Sequence, residues 1–204
     1  MIRRAAAAVL VAGAVLAILL ALDVLSWRSG LASGDRSYAR SPQDAAWTAS
    51  PILPGDPAGS LLAVAGDLSA RDALRLHAVA VATPKGFDNG QAQARARARA
   101  EVALSDVSAE GTPQQASQAA NLFAVLVVDS QDPRGPVGAG DAQAGAAFES
   151  AIRADPANEA AKFNLELLLR RQKVVGTRQG NATGSGAQQQ LEVELGGLVR
   201  RVGA

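Results

Sequence analysis

The side chains that could carry out acid–base or nucleophilic chemistry are few in this chain. His77 is the only histidine, and there is no cysteine. A zinc site needs three or four His, Cys or carboxylate ligands, and a lone histidine does not supply them. His77 also lies in the middle of an apolar helical face, where packing with one ring nitrogen bonded to backbone is the expected arrangement. The residues therefore predict no metal site and favour a packing role for His77.

Other patterns that carry chemistry are weak. The chain has no G-x-S-x-G sequence, the turn that presents a nucleophilic serine in hydrolases. Gly138-Ala139-Gly140 and Gly184-Ser185-Gly186 lack the preceding strand and the lysine of a phosphate-binding loop. We therefore predict no catalytic residue and no cofactor. An enzyme with an unrecognised site near His77 is a less favoured alternative.

Arg95, Arg97 and Arg99 form a short basic run in a chain whose net charge is +1. Nucleic-acid-binding surfaces are larger and interleave aromatic residues, which are absent here. The sequence therefore predicts no nucleic-acid binding. The arginines are expected to form a solvated helix face, with an anionic partner or lipid headgroup as the alternative.

The N-terminus carries the strongest signal, a long apolar segment. Residues 5–22 contain no charge, and at 1.5 Å per residue they span about 27 Å, close to the thickness of a bilayer's hydrocarbon core. Arg3 and Arg4 precede the segment, and Trp27 and Arg28 follow it, as interfacial anchors do. We predict a transmembrane anchor at residues 1–28 that contacts lipid through residues 5–25.

A cleaved signal peptide is the alternative for this segment. Its apolar core is usually about 7–15 residues long and ends in small residues, whereas this run is longer and ends in LLALDVLSW. Basic residues are nearly balanced on the two sides, and the short basic tail favours a cytoplasmic N-terminus. We predict a single-pass protein of the cell membrane with its body outside the cytoplasm.

The rest of the chain is predicted to be all-α. Residues 29–59 are rich in Ser, Gly and Pro and should form an irregular linker, residues 60–173 a helical domain, and residues 174–204 a flexible tail. Helix starts are predicted at Ser69, at Asp88 with Gln91, and at Thr112 with Gln115.

Residues 144–172, AGAAFESAIRADPANEAAKFNLELLLRRQ, predict a tight antiparallel helical hairpin. Asp141 is the expected N-cap of the first helix. Asp155-Pro156 should end that helix and start the next, with proline at its first position. The second helix has an apolar set broad enough for two neighbours: Ala160, Ala161, Phe163, Leu165, Leu167, Leu168 and Leu169.

This hairpin resembles a tetratricopeptide repeat (TPR) at its repeat junction. The family's small, aromatic, proline and Asn-Leu positions are matched, with the family's spacing, by Ala144, Phe148, Ala151, Pro156, Ala161, Asn164 and Leu165. Glu166 departs from the pattern, because the family usually has glycine there.

A second Asn-Leu pair lies upstream, at Asn121-Leu122. It is about nine residues too far away for one 34-residue unit, and a loop insertion at residues 129–140, DSQDPRGPVGAG, accounts for the excess. The resemblance covers about one and a half repeats, residues 112–172, which bury too little to stand alone. The helices between residues 69 and 109 are therefore expected to complete the core.

The resemblance implies a protein-binding groove lined by Asn121, Lys162 and Asn164, whose asparagines would bind the backbone of a partner peptide. The chain also looks similar to small bacterial repeat components that accompany von Willebrand factor A (VWA) proteins and MoxR-type ATPases. The resulting hypothesis is a membrane-anchored TPR-like adaptor for another protein. A structural subunit of a membrane complex, without a peptide-binding groove, is the alternative.

Overall fold

The structure is a computed structural model that describes residues 2–83, 89–130 and 138–174. Seven helices and a 3-10 turn occur in these ranges, and no strand does, which confirms the predicted all-α class. The elements are α1 (Ile2–Arg40), the 3-10 turn (Pro42–Asp44), α2 (Pro57–Leu61), α3 (Val64–Ala82), α4 (Gly90–Glu110), α5 (Pro113–Asp129), α6 (Ala139–Ala154) and α7 (residues 159–174). The TPR character of the hairpin stays a prediction.

α1 is one unbroken helix of 39 residues, about 58 Å long at 1.5 Å per residue. Its most apolar window is only 6% buried, and the helix is long and apolar enough to cross a membrane. A hydrocarbon core is about 30 Å thick, so roughly half of α1 suffices for the crossing. The other half is available to carry the body.

The predicted linker at residues 29–59 is wrong for residues 29–40, which continue α1. Gly30 and Gly34 suggested an irregular segment, but they allow another stretch of chain to approach the helix closely. A Cβ at Gly30 would overlap the carbonyl oxygen of Thr48, and a Cβ at Gly34 would overlap the indole ring of Trp47. Glycine in this helix therefore serves packing rather than chain flexibility.

Residues 45–56, the returning segment, run back along α1 toward its N-terminal half. Trp47 lies against Gly34, the backbone N–H of Ser50 donates to Ser26 Oγ at 3.2 Å, and Ile52 reaches Asp23. Each successive contact lies further toward the N-terminus of α1. The segment is thus packed along α1 through specific contacts and is not an irregular linker.

Trp27 is covered by protein, so its ring is not available to lipid. It is 8% exposed and packs in a cluster with Ala58 and Val64. Its indole Nε1 donates to Asp56 Oδ1 at 2.9 Å. The prediction that Trp27 anchors the helix in lipid headgroups is therefore wrong.

The core of the body is built mainly from alanine, whose small side chain lets helices pack closely. One buried cluster joins α3, α4 and α5, as expected for helices that complete the core; it consists of Ala70, Ala73, Ala80, Ala100, Leu104, Val107, Ala119 and Leu126. A second cluster joins α5, α6 and α7 through Ala124, Val127, Ala144, Phe148 and Leu168.

The predicted helix starts have mixed outcomes. Thr112 and Gln115 form the predicted capping box of α5. The start at Ser69 is wrong, because α3 already begins at Val64, which is 4% exposed and packs on the α1 cluster. The Ser69 hydroxyl donates to the Ala65 carbonyl within that helix. Asp88 lies outside the described residues.

The hairpin of α6 and α7 forms, but its caps differ from the prediction. Gly138 is the N-cap of α6, and Asp141 lies inside the first turn. Asn158 caps α7, because its Oδ1 accepts from the Ala161 N–H at 3.0 Å. Pro156 therefore lies in the turn and not at the first position of the helix.

Two predicted regions are only partly covered by the described residues. The loop insertion at 129–140 coincides with the end of α5 at Asp129 and the start of α6 at Ala139, and its residues 131–137 lie outside the description. The predicted tail at 174–204 also lies outside it, apart from residue 174 at the end of α7.

Candidate functional site

The structure brings two of the three predicted groove residues together. Asn121 on α5 is 8% exposed, and its Oδ1 accepts a hydrogen bond of 2.9 Å from Asn164 Nδ2 on α7. Lys162 is exposed, and its Nζ lies 2.7 Å from Glu159 Oε1 on the same helix. Since residues two apart on a helix point about 200° apart, Lys162 and Asn164 do not share a face.

A second polar contact lies one turn away along the interface of α5 and α7. Asn158 Nδ2 donates to Ser117 Oγ at 2.8 Å, and Ser117 is fully buried. The earlier residue of α5, Ser117, pairs with the earlier residue of α7, Asn158, so the two helices run parallel. α6, which lies between them in the chain, runs antiparallel to both. The two polar pairs fix the register of α5 and α7, because buried polar groups must find their partners.

A cavity of about 590 Å³ lies beyond the asparagine pair, toward the C-terminal ends of α5 and α7. Its walls are largely apolar: Val125, Val128, Asp129, Phe148, Asn164, Leu167, Leu168, Arg170, Arg171 and Val174. The size falls in the range of ligand pockets, about 300–1,000 Å³. Asn164 is the only predicted groove residue among these lining residues.

The cavity continues onto an exposed apolar stripe of α7. Phe163, Leu167 and Val174, the α7 stripe, are 65%, 57% and 52% exposed, and their spacing places them on one side of the helix. The breadth of this apolar set predicted packing against two neighbours, and α7 does pack against two helices. Ala161 and Leu168 each lie in a buried cluster that includes residues of α5 and α6. Phe163, which the apolar pattern placed among the packing residues, is instead exposed.

Charged residues rim the cavity, and two of their ion pairs were not expected from the sequence. Asp129 pairs with Arg97 of α4, whose side chain is only 14% exposed, so Arg97 is not part of a solvated face. Asp141 is fully buried, and its Oδ1 lies 3.9 Å from Arg171 Nη2. The position of Asp141 in the first turn of α6 also suits its negative charge. In both pairs the partners come from different helices, so no local spacing could have revealed them.

His77 is half-buried on α3, away from the cavity lining. Burial lowers its pKa below the usual 6.5, because desolvation disfavours the charged ring. Its Nε2 is buried and has no hydrogen-bond partner among the described residues, so within them this nitrogen does not make the expected backbone bond. No group of three or more His, Cys, Asp or Glu that could hold a metal ion occurs in the described ranges.

Comparison with protein-family models, with curated proteins and with solved structures found no match. Function is therefore inferred from three features of this chain: the cavity, the α7 stripe and the apolar half of α1.

Proposed function

We propose that this protein is a membrane-anchored helical adaptor without catalytic activity. α1 holds the chain in the cell membrane with its N-terminus cytoplasmic, and the body outside the cytoplasm binds another protein. The observation that carries the proposal is the continuity of the cavity with the α7 stripe, since Leu167 and Val174 belong to both. Exposed apolar patches of this kind typically mark protein-binding sites.

The partner is expected to bind through an amphipathic segment. The cavity offers apolar walls to side chains at helical spacing, the mode in which a helix occupies a hydrophobic groove. A VWA-domain or MoxR-type partner is the class that the repeat resemblance suggests.

The asparagines have a different role in this proposal from the one that the resemblance implies. Because Asn164 donates to Asn121, their amides hold α5 and α7 in register instead of binding a partner's backbone. Lys162 lies on another face of α7 and is not needed for binding. Binding then depends on apolar contact with Leu167 and Val174.

A photo-crosslinking amino acid in place of Leu167, in the full chain in its own cells, tests the proposal. We expect an adduct with a second protein from position 167 and none from Val102, a control on α4 with 62% exposure. Val174→Asp should abolish the adduct. Since Val174 is 52% exposed, the helical circular-dichroism signal should not change. The purified partner should then bind the Val174→Asp chain in nanodiscs at least about tenfold more weakly, or about 1.4 kcal/mol.

The other outcomes argue against the proposal in different ways. Equal adducts from Leu167 and Val102 would indicate non-specific contact. An adduct confined to residues 175–204 of the same chain would show that the protein covers its own cavity. Adducts only from probes within α1 would favour the structural-subunit alternative.

A further inference from the structure

The surroundings of α1 change abruptly at Asp23. Residues 9–18 are exposed on every side of the helix, whereas Asp23 is fully buried. Its Oδ1 accepts from the Ile52 N–H at 2.5 Å, and its Oδ2 accepts from the Leu53 N–H at 3.1 Å. The returning segment therefore reaches its furthest point along α1 where the charge-free run ends.

Large apolar side chains outside α1 are exposed close to the position of Asp23 along the helix. Ile52 is 56% exposed, and Leu61 and Leu62 are 69% and 44% exposed. Leu61 and Leu62 lie in the chain between Ala58 and Val64, which are both buried in the cluster that reaches Leu20 of α1. We call Ile52, Leu61 and Leu62 the collar.

The chain around the collar carries almost no charge. Asp56 is the only charged residue between Ala45 and Gly66, and its Oδ1 accepts from Trp27 Nε1 and from the Gly59 N–H. Leu22 and Leu25, 44% and 56% exposed, extend the apolar surface onto α1. An exposed apolar surface with so little charge typically marks contact with a membrane or with another protein.

We propose that the collar inserts into the lipid interface around α1, so that the body rests on the bilayer. This inference depends on the membrane anchor in the proposed function. The partner is the lipid surface itself, because the collar continues the charge-free anchor, and Asp23, the one charged residue at their junction, is fully buried. Interfacial apolar side chains enter lipid to a depth of about 5–10 Å. Arg28, exposed less than two turns beyond Asp23, is then placed to meet lipid phosphates.

Single cysteines provide the test, because the natural chain has none. Val15→Cys, Leu61→Cys and Val102→Cys replace residues that are 51%, 69% and 62% exposed, so labelling should not disturb the fold. Each full-length variant is labelled with an environment-sensitive fluorophore and reconstituted in phosphatidylcholine vesicles. Quenching by nitroxide-labelled lipid and by aqueous iodide is then measured.

We expect nitroxide lipid to quench the probes at positions 15 and 61 but not the probe at 102. Iodide quenching at 61 should be several-fold lower than at 102. If lipid quenches the probe at 15 while the probe at 61 behaves like the one at 102, the collar does not enter lipid. The membrane anchor would still be supported. Absence of lipid quenching at 15 would overturn the anchor itself. A probe at 61 shielded from both quenchers would show that protein, not lipid, covers the collar.

Discussion

The side-chain amide of Asn164 donates a hydrogen bond of 2.9 Å to the side-chain oxygen of Asn121, 43 residues earlier in the chain. Both residues were expected to face a partner. They instead join two parallel helices that are separated in the chain by all of α6. The side-chain amide of asparagine can both donate and accept hydrogen bonds, which suits it to binding a peptide backbone. Here the two amides bond to each other and join two parts of the same protein.

Asn164→Ala should destabilise the body, because it leaves the buried Oδ1 of Asn121 without its donor. A buried acceptor that loses its partner costs about 1–3 kcal/mol. Urea unfolding of the full chain in detergent, followed by circular dichroism, gives the free energy of unfolding. Lys162→Ala is the matched control on the same helix, since exposed ion pairs contribute about 0–1 kcal/mol. Equal effects of the two substitutions would contradict a structural role for the asparagine pair.

Asp23→Asn should release the returning segment from α1. Hydrogen bonds to a charged acceptor are worth about 1.5–3 kcal/mol, and the amide retains only one of the two accepting oxygens. We expect hydrogen exchange at the Ile52 and Leu53 amides to become about tenfold faster, since about 1.4 kcal/mol corresponds to a factor of ten. Exchange in nanodiscs measures this. Asp44→Asn, at an exposed position, should leave both amides unchanged, and unaltered exchange in Asp23→Asn would disprove the contact.

Gly34→Ala should push Trp47 away from α1, because the added methyl group would overlap the indole ring. Overpacking of this kind typically costs about 1–3 kcal/mol. Acrylamide quenching of tryptophan fluorescence should increase as Trp47 becomes more accessible. Gly13→Ala is the control, since a Cβ there meets nothing within 4 Å. The prediction fails if both variants quench like the natural chain.

Stability should fall on acidification through the titration of His77. Burial lowers the pKa of His77 below 6.5 in the folded state, so just below pH 6.5 the unfolded chain binds more protons than the folded chain. The contribution of neutral His77 is therefore complete above pH 6.5 and decreases as the pH falls toward the folded-state pKa.

His77→Phe should reduce that pH dependence, since phenylalanine keeps the apolar packing and does not titrate. Free energies of unfolding at about pH 7.5 and about pH 5.5, measured for both proteins, isolate the contribution of the histidine, because the carboxylates titrate in both. Identical losses of stability on acidification in the two proteins would show that His77 is not responsible.

Features encoded by nearby residues could be predicted from the sequence. The charge-free run of α1 and the Thr112–Gln115 capping box depend on residues within a few positions of one another, and both are present. Contacts between distant segments could not be predicted. Asp23 has its partners at Ile52 and Leu53, and periodicity along the chain holds no information about such pairs.

The same limit explains the errors at the candidate site. Asp141 was interpreted as a cap because a short carboxylate precedes an apolar pattern, whereas it lies inside the first turn of α6, buried and 3.9 Å from Arg171 on another helix. The apolar breadth of α7 correctly predicted two neighbouring helices, but a pattern does not specify which apolar side chains those helices will cover. The exposure of Leu167 and Val174 depends on where the neighbouring helices lie, which the pattern does not give.

The continuity of α1 from Ile2 to Arg40 has a mechanical consequence for a chain held in a bilayer. A flexible tether would let the body rotate independently of the anchor. An unbroken helix with the returning segment packed along it instead makes the anchor and the body rotate together. One residue added within the lipid-facing half would turn the body about the membrane normal by about 100° and move it by about 1.5 Å. The number of residues in the anchor thus determines which way the cavity faces around the membrane normal.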